Sequence, residues 1–125
     1  MKYDSKFEKT AHEIMHGCEY HPEQRIFYLV PKHYEPDFVY TTQSKTWYIE
    51  AKGRFRTSEE ARKYVIIAET LGPKEELVFL FQRANTPMPG SRRRKDGTRY
   101  TMEEWAEKHG FRWYTLETIP TGWRR

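Results

Sequence analysis

Five consecutive apolar residues, Leu77-Val-Phe-Leu-Phe81, place the first constraint on this chain. Hydrophobic residues make up only 37% of the sequence and charged residues 32%, so an uninterrupted apolar run marks a segment covered on both sides. The run is too short for a buried helix and reads as a central strand of a sheet with other elements packed against it. A chain of 125 residues has room for one such sheet and its helices, hence one domain spanning 1–125. The 16% aromatic content supplies the large side chains that a small core requires.

Local signals predict the remaining elements. Ser5-Lys-Phe-Glu8 has the capping-box pattern, and Phe7, Ala11, Ile14 and Met15 follow at helical spacing, which predicts a helix from Ser5 to His16 with those four residues on its buried side. Arg25-Ile-Phe-Tyr-Leu-Val30 is rich in strand-forming residues and ends at Pro31, which predicts a strand. Asp37–Thr42 and Thr46–Lys52 flank Gln43-Ser44-Lys45 as a hairpin. Thr57-Ser-Glu-Glu60 begins a second helix with Ala61, Tyr64, Val65, Ala68 and Leu71 on one side, ended by Gly72-Pro73. A long Pro-, Gly- and Arg-rich loop covers 82–100. Thr101-Met-Glu-Glu104 then caps a third helix running through His109-Gly110, and Phe111–Leu116 forms a last strand. This order predicts an α/β fold, a mixed central sheet flanked by helices.

No apolar run approaches the roughly 20 residues that span a bilayer, and Met1–Lys9 lacks the apolar stretch of an export signal. The single cysteine, Cys18, cannot form an intramolecular disulfide, which fits the cytoplasm as the expected location. The net charge of +4 is unevenly divided: residues 1–51 hold six Lys and Arg against eight Asp and Glu, the rest sixteen against ten. Carboxylates gathered for a metal beside a surface that receives phosphates would produce this division, as would chance drift of charge in a soluble domain.

Two patterns suggest metal chemistry. His12-Glu-Ile-Met-His16 matches H-E-x-x-H, the helical zinc motif in which two imidazoles one turn apart bind the metal and the glutamate acts as base. A zinc peptidase is therefore one alternative, but Gly17 ends the helix at once and no third histidine follows at a suitable spacing. The competing reading is of polar histidines on the exposed side of the helix.

The second pattern is Pro36-Asp37 followed by Glu50-Ala-Lys52. Alternation along a strand puts Tyr48, Glu50 and Lys52 on one face and Trp47, Ile49 and Ala51 on the other, so the second face is expected to pack and the first to carry chemistry. Asp37, in the neighbouring strand, lies within cross-strand reach of Glu50. Two carboxylates that close call for a cation, and hard oxygen ligands suit Mg²⁺, with Mn²⁺ as a substitute. Lys52 beside the metal would orient or deprotonate an attacking water, the chemistry of phosphodiester hydrolysis.

Taken together, Tyr34-Glu-Pro-Asp-Phe38, Trp47-Tyr-Ile-Glu-Ala-Lys-Gly53, Glu104-Trp-Ala-Glu-Lys-His-Gly110 and Ile119-Pro-Thr-Gly-Trp123 resemble the phage endonuclease I family, Holliday junction resolvases of the T-seven type within the restriction-type PD-(D/E)xK superfamily. The resemblance covers nearly the whole chain, in order. It implies a restriction-endonuclease-like core and a homodimer that nicks four-way junctions and other branched DNA in pairs, in the cytoplasm of the host cell. It also implies Asp37, Glu50 and the Ala51 carbonyl as metal ligands, Lys52 serving the attacking water, and Glu8 completing a second metal position, two ions in all. Glu8 has a competing role as the third member of the Ser5 capping box. The family exchanges its first helix and strand between protomers, here residues 1–30, although the connector Val30–Pro36 is shorter than the family's bridge.

DNA contacts are expected from Arg92, Arg93, Arg94, Lys95 and Arg99 on a mobile loop, with Arg54, Arg56, Lys63 and Arg83 nearer the catalytic strand. A non-catalytic protein that binds branched DNA is the alternative from another class.

Overall fold

The computed structural model describes residues 5–20, 25–28 and 30–124. The chain divides into two compact units, Met1–Lys32 and His33–Arg125.

In the first unit, helix α1 spans Lys6–Ile14, and the Ser5 hydroxyl accepts the Glu8 N–H at 3.1 Å as its N-cap. The expected buried side is not buried: Phe7, Ile14 and Met15 are exposed. Nor do the described residues of 25–30 form a strand, and Ile26, Phe27, Tyr28 and Val30 are all exposed. The composition was strand-like, but a strand also needs a partner ladder to satisfy its backbone, and these residues have none among the described elements.

The second unit is an α/β fold on a four-stranded mixed sheet. Strands β1 (Phe38–Thr41), β2 (Thr46–Lys52), β3 (Glu75–Phe81) and β4 (Trp113–Tyr114) lie side by side in that order. β1 and β2 form the expected antiparallel hairpin, with Phe38 opposite Ile49 and Thr41 opposite Thr46. β2, β3 and β4 run parallel, joined by crossovers that contain α2 (Ser58–Glu69) and α3 (Met102–Lys108). β4 is shorter than expected, reduced to two residues paired with Phe79 and Leu80. α3 has a full capping box between Thr101 and Glu104. It ends with Gly110 at φ 77°, where the Gly110 N–H bonds Glu107 and the Phe111 N–H bonds Ala106, the Schellman arrangement that favours glycine.

Both helices cover the same face. Phe79, at the sheet centre, has ring contacts with Tyr64 of α2 at 5.4 Å and Trp105 of α3 at 5.5 Å, and Phe55, Phe81 and Phe111 complete an aromatic core around it. Successive right-handed crossovers explain why the helices of this unit do not divide between the two faces. On the other face, Ile49 and Val78 are buried, and the closing segment approaches so tightly that a Cβ on Gly122 would lie 2.5 Å from the Tyr40 hydroxyl. The apolar run of β3 is thus buried on both sides, Phe79 beneath the helices on one and Val78 on the other, the face where Gly122 lies against Tyr40 and Trp123 packs edge-on to Tyr114 at 5.1 Å.

Candidate active site

The sheet places Asp37 one residue before β1, level with the Glu50 end of β2. Its Oδ2 accepts the Ala51 N–H at 3.0 Å. The N–H and C=O of one strand residue leave on the same edge, so the Ala51 carbonyl also faces the Asp37 side, whereas the Lys52 carbonyl faces β3 and accepts the Gln82 N–H at 3.0 Å. Asp37 and the Ala51 carbonyl therefore share one edge of β2 where β1 has not yet begun, next to the Phe38–Ile49 pair, and Glu50 is the residue before Ala51 on that strand.

Alternation was correct about which residues share a face, but the face expected to carry chemistry is covered as well, by the helices, while the face expected to pack is covered only in part, with Ile49 buried and Ala51 exposed. Glu50 points toward α2 and is 6% exposed, the buried charged residue among those described. Tyr48, on the same face, packs against the aromatic core, whereas Ala51 on the opposite face is exposed. Such a carboxylate is tolerable only when its oxygens are bonded. Tyr34 donates to Oε1 at 2.6 Å and Tyr64 to Oε2 at 3.1 Å. Burial, followed by the hydrogen bond to Glu50 and the nearby carboxylate charges including Asp37, pushes the Tyr34 hydroxyl far above its ordinary range. Burial also dominates at Tyr64, raised to about 12 despite the opposing influence of Lys52.

Lys52 ends β2 with its Nζ 3.5 Å from Glu50 Oε2 and 3.4 Å from Glu60 Oε2. Burial works against its charge, but Tyr64, Glu60 and Glu50 outweigh it and hold the ammonium above its ordinary range. Glu60 was legible only as a capping residue. The Thr57 hydroxyl does accept the Glu60 N–H at 3.1 Å, but the carboxylate bonds the Arg56 N–H at 2.8 Å and turns its other oxygen to Lys52. Tyr34, Glu60 and Tyr64 are the site residues that sequence reasoning missed. The available signal was the Glu60–Tyr64 spacing of four, one turn along α2, which puts both on the same helix face.

The donor set fits a hard divalent cation: two carboxylates and a carbonyl, all oxygen, with one carboxylate already desolvated. Among the described residues no group of three or more His, Cys, Asp or Glu side chains is placed to hold a metal ion.

Glu8 belongs to the first unit, where its carboxylate accepts a hydrogen bond from the Tyr20 hydroxyl rather than closing the expected reciprocal cap. His12 stacks on Tyr20 at 5.4 Å between ring centroids. α1 ends at Ile14, so His16 lies in the following turn, and the helical spacing that the zinc motif requires does not reach it.

Among the expected DNA contacts, Arg54 and Arg56 line an open groove with Thr86, Pro87, Pro89 and Gly90. Lys63 lies over the Tyr64 ring at 4.9 Å. Arg83 begins the long loop, its carbonyl accepting the Thr86 hydroxyl at 2.8 Å. The basic segment is not a free tether: Arg94 and Thr98 close a turn, N–H to O at 2.7 Å, with Gly97 at φ 87°. Within it Arg94 pairs with Glu104 at 2.9 Å and Arg99 donates to the Ser91 carbonyl at 3.4 Å, while Arg92, Arg93 and Lys95 are exposed.

No family model matches the chain, and a comparison with curated proteins finds no match. The site's chemistry therefore stands on its own geometry.

Proposed function

We propose that the chain is a metal-dependent endodeoxyribonuclease of the restriction-type fold, a relative of the phage endonuclease I family that acts on four-way junctions and other branched DNA. The observation that carries this reading is the corner shared by Asp37, Glu50 and Lys52: an exposed carboxylate 3.0 Å from the Ala51 N–H, a buried carboxylate one residue before it, and an ammonium one residue after. A purely structural ion pair would not need a desolvated glutamate held by two tyrosines at the end of a strand beside an exposed aspartate.

Asp37, Glu50 and the Ala51 carbonyl would hold Mg²⁺ or Mn²⁺, and Glu8 would serve a second ion. Such ions supply positive charge to the scissile phosphate and to the attacking and leaving oxygens. The chain's own groups do the rest. Lys52, a cationic donor, orients the attacking water and faces the developing negative charge on phosphate. Arg54 and Arg56, in their groove beyond the end of β2, offer guanidinium groups to the adjacent backbone, and Arg92, Arg93 and Lys95 are further exposed cations on the long loop. These contacts bear on phosphates and carry no base code, which suits selection by branch geometry.

A homodimer is part of the same proposal. Phe7, Ile14, Ile26, Phe27, Tyr28 and Val30 are exposed apolar side chains, and an exchange of residues 1–30 between protomers would cover them. β1 is an edge strand, the kind that a second chain extends. No described helix is long and apolar enough to cross a membrane.

The test is nicking of a four-way junction in Mg²⁺. Glu50→Ala and Lys52→Ala should each abolish nicking while junction binding persists. Binding without nicking in the unmodified protein would favour the non-catalytic DNA-binding reading.

A further inference from the structure

Resting on the nuclease reading, we propose that Glu60 is a positioning residue that keeps the Lys52 ammonium at the site once a cation occupies the Asp37–Glu50 corner. Lysine ends in a point charge on a flexible four-carbon stem, so its place is set by what surrounds the ammonium. Here two carboxylates do so, Glu50 Oε2 at 3.5 Å and Glu60 Oε2 at 3.4 Å. A divalent cation on Glu50 would draw on the first of these carboxylates and repel the ammonium. Glu60 is then the neighbour left to hold it.

Glu60 is built for that part. Its Oε1 is fixed by the Arg56 N–H at 2.8 Å, so the carboxylate is itself anchored to the loop after β2. In a closed capping box this side chain would return to the backbone of the N-cap, Thr57; here it bonds one residue earlier and leaves Oε2 for Lys52. Tyr64, one turn further along the helix, donates to Glu50 Oε2 at 3.1 Å, and its ring lies 5.2 Å from the Lys52 ammonium. One face of α2 thus orders both working groups of β2, the carboxylate through Tyr64 and the ammonium through Glu60.

The experiment measures single-turnover nicking of a four-way junction in Mg²⁺, junction affinity in EDTA and the thermal midpoint, for the full chain and three variants. Glu60→Gln keeps an oxygen for the Arg56 N–H but removes the charge; its nicking rate should fall by about tenfold or more with affinity and midpoint retained. Glu60→Asp, which keeps the charge and draws it back by one methylene, should fall between it and the unmodified chain. Thr57→Ala removes the cap of the same helix without touching Lys52, and should lower the midpoint while leaving the nicking rate within about twofold. A Glu60→Gln rate within that margin, or a Thr57→Ala loss equal to that of Glu60→Gln, overturns the positioning role. Failure of the unmodified chain to nick at all removes the nuclease reading and this inference with it, whereas normal nicking with an indifferent Glu60→Gln removes the inference alone.

Discussion

The Tyr34 hydroxyl donates to Oε1 of Glu50 across 2.6 Å, so the most buried carboxylate of the site already has a partner before any cation arrives. A hydrogen bond to a charged group contributes about 1.5–3 kcal/mol, and a cation drawing on the same oxygen competes with it. Tyr34→Phe should therefore lower the Mg²⁺ concentration for half-maximal nicking by about tenfold, at a cost to the metal-free fold of about 1–3 kcal/mol. Titration of nicking against Mg²⁺, beside urea unfolding in EDTA, reads both effects. A higher Mg²⁺ requirement in the variant would mean that Tyr34 helps to shape the metal site instead of competing for it.

Phe79 is fully buried at the meeting point of α2, α3 and the sheet, with five aromatic neighbours. Phe79→Ala leaves a void that several rings border, and should cost about 3–5 kcal/mol in urea unfolding. A loss below about 1 kcal/mol would show that the ring cluster collapses easily into the space.

The elements that were legible in the sequence are those written in local chemistry. β2 was read to the residue because alternation and a polar turn bound it, and α2 and α3 start where Thr57 and Thr101 cap them. Elements that depend on distant partners were not legible. Residues 25–30 have strand composition without a ladder, and 111–116 kept only the two residues that β3 pairs. The pattern of the hairpin grouped Tyr48, Glu50 and Lys52 but could not say which face α2 would cover, since that depends on the crossover. Asp37, Glu50 and Lys52 could be grouped as candidates because their spacing is local to one hairpin. Tyr34 and Tyr64 escaped because a hydroxyl's partner is set by tertiary packing, and Glu60 because its cap-like position offered a sufficient local explanation.

Glu75 and Glu104 are two of the five described carboxylates, with Glu60, Asp96 and Glu117, that are held below their ordinary range and tie acid stability to the fold. The Tyr48 hydroxyl and then the Gly72 N–H hold Glu75 below its ordinary value of 4.5, and Arg94 above all does the same for Glu104. Each group then binds protons less readily folded than unfolded, so its contribution is present above pH 4.5 and is lost as pH falls through the depressed folded value. The thermal midpoint should decline below that pH, and Glu75→Gln with Glu104→Gln should flatten the decline. An identical slope in the double variant would place the acid sensitivity elsewhere.

The basic loop divides by partner. Arg94 is engaged with Glu104, whereas Arg92 and Arg93 are exposed. Replacing Arg92 and Arg93 with Ala should reduce the slope of log affinity for junction DNA against log salt by about 2, with nick positions unchanged. Arg94→Ala should affect the fold instead, and only slightly for an ion pair this exposed. A salt slope that ignores the Arg92 and Arg93 changes would place the DNA on another surface.

The central claim, that the Asp37–Glu50–Lys52 corner hydrolyses branched DNA, is tested most directly by mapping strand cleavage on an immobile four-way junction beside a matched linear duplex, in Mg²⁺ and in EDTA, with Glu50→Ala as control. Paired nicks near the branch that require both the metal and Glu50, with the linear duplex spared, are the predicted result. Nicking that persists in EDTA or in Glu50→Ala, or a junction bound and left intact by the unmodified protein, would contradict it.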